Sequence, residues 1–301
     1  MKIFITGGTG FVGSHLVRFL TGKGHRLTLL SRSEKSNPAA NVAIVVGDPS
    51  RPGVWQIRMK ECEAVINLAG APVFCRWTRK NRHRIMESRI LTTRHIAEAL
   101  KEEDSRVKVL LSGSAVGYYG DKGELTIDEG TPPGTDFLAT VAEKWEKEAR
   151  AADESVRVVR CRLGVVLGSG GGVLAKMIPP FKAGLGAAMG SGRQWFSWIH
   201  IDDLIEAFNF ILENEDIAGP VNLTSPKPLT NRDFSRQLAS SLDKPLIMPA
   251  VPAPLLKLIM GEAASLVLDS AKVTPVVLLD RGFDFKFAEL STALNDLTPE
   301  A

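Results

Sequence analysis

The chain has 301 residues, which is enough for one large α/β domain with a smaller one beside it. Hydrophobic residues make up 44% and charged residues 24%, so the composition excludes a disordered chain that could not bury a core. The net charge of +3 is too small to indicate nucleic acid or a membrane surface as the partner.

Short apolar runs alternate with helical patterns through the first half of the chain. The predicted strands comprise residues 2–6, 26–30, 42–46, 64–68, 107–111 and 156–163. The predicted helices between them comprise residues 11–23, 78–100 and 136–152. Because strands that alternate with helices pair in parallel, with helices on both faces, we predict a doubly wound α/β sheet. Such sheets bind ligands at the carboxyl ends of their strands.

The composition of the sequence changes after Leu167. Residues 168–193 are rich in glycine and contain Pro179-Pro180, and prolines punctuate the remainder. Further helices are predicted at residues 202–214, 230–242, 254–268 and 287–296. We therefore predict two domains. The larger comprises residues 1–167 and 201–218, and the smaller, on the substrate side, comprises residues 168–200 and 219–301.

A glycine-rich loop follows the first strand. It reads Thr6-Gly7-Gly8-Thr9-Gly10-Phe11-Val12-Gly13. Gly7 permits a tight turn, Gly10 lets the backbone approach a pyrophosphate, and Gly13 allows the helix to pack closely on the strand. The helix that follows presents free N–H groups to the phosphates. This loop predicts a Rossmann-type dinucleotide site, with contacts from Gly7, Thr9, Gly10, Phe11, Val12 and Gly13.

The end of the second strand decides which dinucleotide is preferred. Enzymes that use NAD place an acidic residue there to bond the ribose 2′-hydroxyl. This chain has Ser31-Arg32-Ser33 instead, with Lys35 close behind. An arginine at this place pairs with a 2′-phosphate. We therefore predict NADP(H) as the preferred cofactor with NAD(H) as an alternative, while an exposed Arg32 without a partner is the competing interpretation.

Segments spread over the chain resemble the extended branch of the short-chain dehydrogenases/reductases. They are Gly47-Asp48, Asn67-Leu68-Ala69-Gly70, the stretch from Ser112 to Gly120, and the stretch from Trp198 to Asp203. Others resemble an atypical, epimerase-like subfamily of the NAD(P)-dependent epimerases and dehydratases, whose members sometimes carry a nucleoside-diphosphate-sugar epimerase or cell division inhibitor label. These are Ser88-Arg89, Lys144-Trp145-Glu146, residues 164–168, 190–194, 261–262 and 273–275, and Gly282-Phe283.

The resemblance adds further cofactor contacts to those of the glycine loop. It implies contacts from Asp48, at the adenine, and from Leu68, Ala69, Gly70 and Ser112, beside the rest of the dinucleotide. Arg89, on the helix after the fourth strand, is predicted to reach the cleft and contact the cofactor. A surface position for Arg89 is the alternative.

The family's usual catalytic pair is missing. The family mechanism uses Tyr-x-x-x-Lys on the helix after the fifth strand, where lysine holds the nicotinamide ribose and lowers the pKa of the tyrosine. Neither tyrosine of this chain, Tyr118 or Tyr119, lies on that helix. One alignment places Leu138 and Ala142 at the two positions, and we prefer it because it also fits Trp145-Glu146. A shift by two residues would place Thr140 and Lys144 there.

The loop after the fifth strand is where other hydroxyl groups cluster. Ser114 matches the family's catalytic serine, and we predict that it acts with Tyr118 or Tyr119, one of which should be core because adjacent side chains of an extended segment point opposite ways. A phenol here would lack the cation that the lysine supplies. We also predict Arg193 and Trp195 as substrate contacts. For His200 we favour a structural role.

Three cysteines exclude two further classes of site. Cys62, Cys75 and Cys161 are odd in number and none has C-x-x-C spacing, so we expect neither a disulfide framework nor a metal site. No run of about 18 apolar residues is present, and glycines from Gly7 interrupt the apolar start of the chain. We expect a cytoplasmic protein with a small-molecule substrate and no nucleic-acid or membrane partner, and leave a homodimer open.

The leading functional hypothesis is an NADP(H)-dependent reductase or epimerase-like enzyme with an unusual proton donor. Its substrate would be an unknown carbonyl or sugar-nucleotide-like compound. The alternatives are a sensor that binds NADP(H) without turnover and, less favoured, a scaffold that kept only the fold.

Overall fold

The computed structural model describes residues 1–34 and 40–298. Within them the strands are, in chain order, β1 (Lys2–Thr6), β2 (Arg26–Ser31), β3 (Val42–Val46), β4 (Ala64–Asn67), β5 (Val109–Ala115), β6 (Thr126–Ile127), β7 (Arg157–Leu163), β8 (Val165–Leu167), β9 (Trp195–Phe196), β10 (Trp198–His200), β11 (Gly219–Leu223), β12 (Leu229–Thr230) and β13 (Lys272–Val273). The helices are α1 (Phe11–Gly22), α2 (Trp55–Lys60), α3 (Arg79–Leu100), α4 (Phe137–Arg150), α5 (Leu174–Lys182), α6 (Ile201–Glu213), α7 (Asn231–Ser241), α8 (Ala253–Met260), α9 (Ser265–Leu268), α10 (Val276–Asp280) and α11 (Leu290–Leu297).

The central sheet of the described chain has seven parallel strands in the order β11-β7-β5-β4-β1-β2-β3. The chain proceeds outward from β1 in one direction and then returns to β4 to build the other half. The order therefore reverses between β1 and β4, where Thr6 lies opposite Asn67. This reversal opens a crevice at the carboxyl ends of the two strands. The predicted Rossmann-type, doubly wound fold is confirmed.

Both faces of the sheet are covered, which explains why its central strands are apolar throughout. On one face Ile3 and Ile5 pack in a cluster with Leu16 of α1 and Phe208 of α6. On the other face Phe4 packs in a cluster with residues of α2 and α3. The side chains of alternate residues thus enter opposite layers, and neither layer leaves the sheet exposed to water.

Most elements lie within a few residues of their predicted bounds, but β11 does not belong where the prediction placed it. Residues 219–223 were expected in the smaller domain, yet they pair with β7 and form an edge of the central sheet. Pro220 lacks a backbone donor and is tolerated because the strand is at an edge. The boundary at residue 219 is therefore corrected, and the rest of the domain division stays a prediction.

A second, smaller core lies beyond the central sheet. It is built by α5, α7 and α11, which contribute Phe181, Phe234 and Leu294 among its buried residues. The helix α5 was not predicted because Pro179 and Pro180 lie inside it and lack the N–H groups of a regular helix. No helix in the described part of the chain is both long and apolar enough to span a membrane.

A buried ion pair joins α4 to β7. The carboxylate of Glu146 is fully buried and accepts hydrogen bonds from Arg162, through Nε at 2.7 Å and Nη2 at 2.9 Å, and from Nη1 of Arg160 at 3.2 Å. Burial disfavours the charge of Arg162, but its hydrogen bonds to Glu146 prevail and raise the pKa of the guanidinium. The Arg162 guanidinium therefore stays charged, and both oxygens of the Glu146 carboxylate have hydrogen-bond partners.

The same arginine extends the network toward the C-terminal part of the chain. Nη1 of Arg162 donates to the hydroxyl of Tyr119 at 2.9 Å and to the backbone oxygen of Glu129 at 3.1 Å. The Tyr119 hydroxyl donates to Asn222 at 2.6 Å, and the Asn222 amide donates to the carbonyl of Thr274 at 3.0 Å. One buried guanidinium thus connects the sheet with the segment that follows β13.

The substitution Arg162→Met should lower the free energy of unfolding by about 3–5 kcal/mol, because it leaves a buried carboxylate without its main partner. Urea denaturation measures the loss. The matched control is Arg94→Met, which breaks an arginine–glutamate pair between α3 and Glu148 of α4 that is partly exposed, and which should cost about 0–1 kcal/mol. Equal losses in the two variants would contradict the importance of burial.

Candidate functional site

The glycine loop and the segment after β4 meet at the crevice. Gly7 has φ +71°, and a Cβ there would lie 2.7 Å from the carbonyl carbon of Leu68. A Cβ on Gly13 would lie 2.2 Å from the backbone oxygen of Gly7. Both positions therefore require glycine, one for its backbone conformation and for lack of space, the other for lack of space alone. The loop is held against the floor of the crevice by backbone contacts.

The first turn of α1 has free backbone donors. Its N-cap residue is Gly10, and no side chain accepts from its N–H groups, whereas Thr78 and Asp136 cap α3 and α4. The N–H groups of the first residues of a helix have no acceptor within it, and they favour an anion. The first turn of α1, with the N–H groups of Phe11 and Val12, is therefore left without a side-chain acceptor, and their contact with a dinucleotide stays a prediction.

The side chain of Phe11 has a different neighbour. Cβ atoms on Gly168, Gly171 and Gly172 would lie 2.8, 2.4 and 2.9 Å from its ring. The glycine-rich segment after β8 therefore packs directly on the ring, and α5 begins next to it. Thr9, in the same glycine-rich loop, is exposed.

Arg32 and Asp48 lie at the ends of β2 and β3. Arg32 is exposed and forms no ion pair within the described residues. The hydroxyl of Ser31 donates to the carbonyl of Ser33 at 2.8 Å, so it serves the turn. Hydrogen bonds from Ser50 lower the pKa of Asp48, with Arg51 and Arg32 contributing at longer range. Lys35 lies outside the described residues.

Buried hydrogen bonds hold the floor of the crevice. The Thr6 hydroxyl donates to Asn67 at 2.7 Å and accepts from the backbone N–H of Ala69 at 3.3 Å. Thr93 accepts from the amide of Asn67 and from the indole N–H of Trp145, both at 2.8 Å. These bonds connect β1, β4, α3 and α4 beneath the place where the dinucleotide was predicted.

Ser112 and Gly70, two predicted cofactor contacts, differ in their exposure. Ser112 is 1% exposed, so its hydroxyl is buried below the surface of the crevice. Only residues next to Ser112 can contact a ligand there. Gly70 is exposed and lies against the guanidinium of Arg89, whose Cζ would be 3.0 Å from a Cβ on Gly70. Arg89 is half-buried, so the predicted approach to the cleft agrees with its placement better than a free surface position does.

Helix α4 presents Leu138 and Ala142 inward. Leu138 lies beside Gly117 of the loop after β5, and Ala142 is buried. Lys144 is exposed, and the Thr140 hydroxyl donates to the backbone oxygen of Asp136 at 2.8 Å. The two positions of the preferred alignment thus lie on the inward face of the helix and carry neither a phenol nor an amine, and the choice of alignment stays a prediction.

The candidate hydroxyl groups near the end of β5 differ in their burial and in their hydrogen-bond partners. Ser114 is buried and its hydroxyl donates to Glu146 at 2.8 Å. Tyr119 is fully buried, burial raises its pKa to about 12, and its hydroxyl accepts from Arg162 and donates to Asn222. Tyr118 is half-buried, which leaves it as the candidate with access to a ligand. Adjacent tyrosines thus differ in burial, as expected, but the reason given for it is wrong, because Val116–Tyr118 form a short 3₁₀ turn and not an extended segment.

A cation does lie beside Tyr118. The guanidinium carbon of Arg162 is 3.7 Å from the centroid of the Tyr118 ring. The expectation that a phenol in this loop lacks a cationic neighbour is therefore wrong. Sequence reasoning missed Arg162 because it lies in an apolar strand, although two arginines on one face of Arg157–Leu163 were a visible signal.

The predicted substrate contacts lie on the surface beyond the loop. Arg193 is exposed. Trp195 is half-buried; its indole N–H donates to Glu124 at 2.7 Å, and the Lys272 ammonium lies 4.4 Å from its ring centroid. His200 is the N-cap of α6, where Nδ1 accepts from the backbone N–H of Asp202 at 3.1 Å. This agrees with a structural role for the histidine.

Comparison with known proteins agrees with this geometry. The family described as the NAD dependent epimerase/dehydratase family matches residues 3–223, and a domain of unknown function, DUF1731, matches residues 251–297. The "Epimerase family protein SDR39U1 homolog, chloroplastic" of Arabidopsis thaliana is 40% identical over 98% of this chain and 86% of its own. The epimerase family protein YfhF of Bacillus subtilis is 36% identical over 99% of this chain and 98% of its own.

Solved structures extend the comparison. Human epimerase family protein SDR39U1 (isoform 2), crystallised with NADPH, is 31% identical, with a TM-score of 0.88 over 100% of both chains. The UDP-glucose 4-epimerase of Thermus thermophilus in complex with NAD has a TM-score of 0.78 over 100% of both chains at 21% identity, which shows a shared fold. By its sequence match and its architecture, the chain belongs to the NAD dependent epimerase/dehydratase family.

Proposed function

We propose that the protein binds NADP(H) and transfers a hydride between this cofactor and a carbonyl or sugar-nucleotide-like substrate. The observation that carries the proposal is the uncapped first turn of α1 at the point where the strand order reverses. Gly10 leaves room beside that turn, because a Cβ there would meet one heavy atom within 4 Å, the backbone oxygen of Gly7 at 3.3 Å. The NADPH in the human relative supports the same cofactor.

The preference for the phosphorylated cofactor rests on Arg32. Its exposed guanidinium has no ion-pair partner within the described chain, and no acidic residue ends β2. A 2′-phosphate is the group that such a guanidinium would pair with. NAD(H), which lacks this phosphate, would bind more weakly.

The chain's own residues would act as follows. When bound, the nicotinamide would supply or accept a hydride at the substrate carbon. Tyr118 would exchange the proton with the substrate oxygen, since the hydroxyl of Tyr119 is bonded on both sides. Arg162 would hold the Tyr118 ring. Ser114 would accept a hydrogen bond from a substrate hydroxyl, because its own proton is directed at Glu146.

The second candidate function is a sensor that binds NADP(H) without turnover. It is favoured by the absence of a phenol and an amine at Leu138 and Ala142 and by the internal bonds of Ser114 and Tyr119. The discriminating experiment is NADPH oxidation with panels of carbonyl compounds and sugar nucleotides. Oxidation supports the enzyme, binding without oxidation supports the sensor, and failure to bind NADPH contradicts both.

We expect NADPH to bind more tightly than NADH by about tenfold to a hundredfold, which corresponds to one charge-assisted contact of about 1.5–3 kcal/mol. Calorimetric titration measures both affinities. Arg32→Ala should remove the difference and leave NADH binding nearly unchanged. Arg26→Ala, at the opposite end of β2, is the control and should change neither. Equal affinities in the parent protein would contradict the preference.

Gly10→Val should abolish dinucleotide binding without unfolding the protein. Gly10 has an extended backbone conformation, φ −79° and ψ 179°, which valine can adopt, but the side chain would fill the space of the pyrophosphate. Circular dichroism verifies the fold and calorimetry the binding. Gly22→Val, at the other end of α1 where nothing lies within 4 Å of a Cβ, should bind NADPH normally. Parent-like affinity in Gly10→Val would refute this site.

Turnover of the first substrate found should depend on Tyr118. Tyr118→Phe should lower kcat by about a hundredfold or more, the usual contribution of a positioned proton donor. Ser114→Ala should also lower it. Tyr119→Phe should mainly lower the unfolding temperature, and Lys144→Ala, on an exposed position, should be neutral.

Steady-state kinetics on the four variants decides between the alternatives. Loss of activity in Lys144→Ala alone would overturn the assignment and restore Thr140 and Lys144 as the acting pair. Full activity in all four would mean that water or the substrate supplies the proton.

A further inference from the structure

Arg89 is a half-buried cation without a carboxylate partner in the described chain. Its Nη1 donates to the backbone oxygens of Ala71 and Ile85, at 3.1 and 3.0 Å. Its Nε and Nη2 donate to no group of the described residues, and no carboxylate lies within 4.0 Å of the guanidinium there. Burial lowers the pKa of Arg89 to about 10, so the group remains charged at neutral pH. A desolvated charge of this kind is costly unless a ligand or water bonds it.

Contacts between α3 and α4 show which turn of α4 lies beside the Arg89 guanidinium. The two helices run side by side in the same direction: Arg82 lies 4.3 Å from the ring centroid of Phe137, and about three turns later Arg94 bonds Glu148. Ile85 is therefore level with the turn after Phe137, and it shares a buried cluster with Val141.

The side chain of Arg89 extends back along α3, so that its guanidinium lies beside Ile85. A helical side chain points toward the N-terminus of its helix, and Arg89 bonds the carbonyl of Ile85, one turn back. The charge thus lies beside the turn of α4 that contains Ala142. Ala142 is buried and contributes only a methyl group, so it offers no polar group to this place.

Two further contacts place the group at the crevice. A Cβ on Gly70 would be 3.0 Å from Cζ of Arg89, so glycine is what lets the segment after β4 approach the guanidinium. On the other side, the guanidinium lies 5.3 Å from the ring centroid of Trp145 on α4. The charge is held between the carboxyl end of β4 and the inward face of α4.

We propose that Arg89 supplies, from α3, the cation that related enzymes supply as a lysine from α4, and that its Nε and Nη2 donate to the hydroxyl oxygens of the cofactor's nicotinamide-side ribose. This inference rests on the proposed cofactor. Two donors on a planar group fit two neighbouring hydroxyl oxygens, and anchoring by Ala71 and Ile85 fixes the plane. Arg89 is then a positioning residue, which orients the sugar and through it the reactive ring.

The test uses three ligands that share the adenosine 2′-phosphate half. They are NADPH, adenosine 2′-phosphate 5′-diphosphate, which has the diphosphate but no second ribose, and adenosine 2′,5′-bisphosphate, which has neither. Arg89→Gln should lower the affinity for NADPH by about tenfold or more in calorimetric titration, because hydrogen bonds from a charged donor are lost. It should leave the affinities of both adenosine ligands unchanged. A purely structural role would not separate the three ligands.

Two variants complete the experiment. Arg94→Gln removes an arginine of the same helix that bonds Glu148 near the surface, and all three affinities should stay at the parent value. Arg89→Lys keeps the charge and should recover part of the NADPH affinity. If Arg89→Gln no longer binds the bisphosphate, we take it not to fold. Arg89→Lys is then compared with the parent protein on the same three ligands, and only its binding of NADPH should be weaker.

Three outcomes would overturn the inference. Unchanged NADPH affinity in both Arg89 variants would show that Arg89 does not hold the cofactor. An equal loss for NADPH and the 5′-diphosphate would show that the guanidinium binds the diphosphate and not the ribose. Failure of the parent protein to bind NADPH would refute the proposed function as well, which separates that failure from the other two.

Discussion

The ion pair between Glu146 and Arg162 is the interaction on which the arrangement around the crevice depends. A buried carboxylate requires partners for both of its oxygens, and here two arginines of β7 and the hydroxyl of Ser114 provide them. The position of α4 against the sheet follows from these bonds. So does the state of the loop after β5, because Arg162 bonds Tyr119 and lies against the ring of Tyr118.

The arrangement that results differs from the one that the family resemblance implies. A serine whose proton is directed at a buried carboxylate offers lone pairs to a ligand, whereas the usual family serine offers a proton. The inward face of α4 is apolar at Leu138, and the cations of the region come from neighbouring elements, Arg162 on β7 and Arg89 on α3. The cations near the crevice thus lie on β7 and α3, and not on α4.

Much of the fold could be predicted from the sequence because its signals are local. The alternation of apolar runs with helical spacing defined β1 to β5, and the glycine loop needs only adjacent residues to be recognised. The strand β11 was missed because a short run that begins with Gly219-Pro220 has the composition of a turn, and only its pairing with β7 makes it a strand.

The candidate site could be predicted only in part, for the same reason. The backbone-based half, from Gly7 to Gly13, follows from spacing. The side-chain half depends on partners distant in sequence: the burial of Tyr119 depends on Asn222, and the direction of the Ser114 proton depends on Glu146. A single sequence gives the residue types of such a network but not its bonds, so the cation beside Tyr118 was not foreseen.

The contact between Phe11 and the glycines after β8 has an evolutionary consequence. One aromatic ring at the start of α1 occupies the space where Gly168, Gly171 and Gly172 would otherwise carry side chains. Even an alanine at Gly171 would displace that ring and with it the backbone donors of the first turn. Positions 11 and 171, far apart in the chain, are therefore not free to change independently: a residue larger than glycine at position 171 becomes tolerable only once Phe11 has become smaller. Among relatives, the size of the residue at position 11 and the presence of glycine at position 171 should vary together.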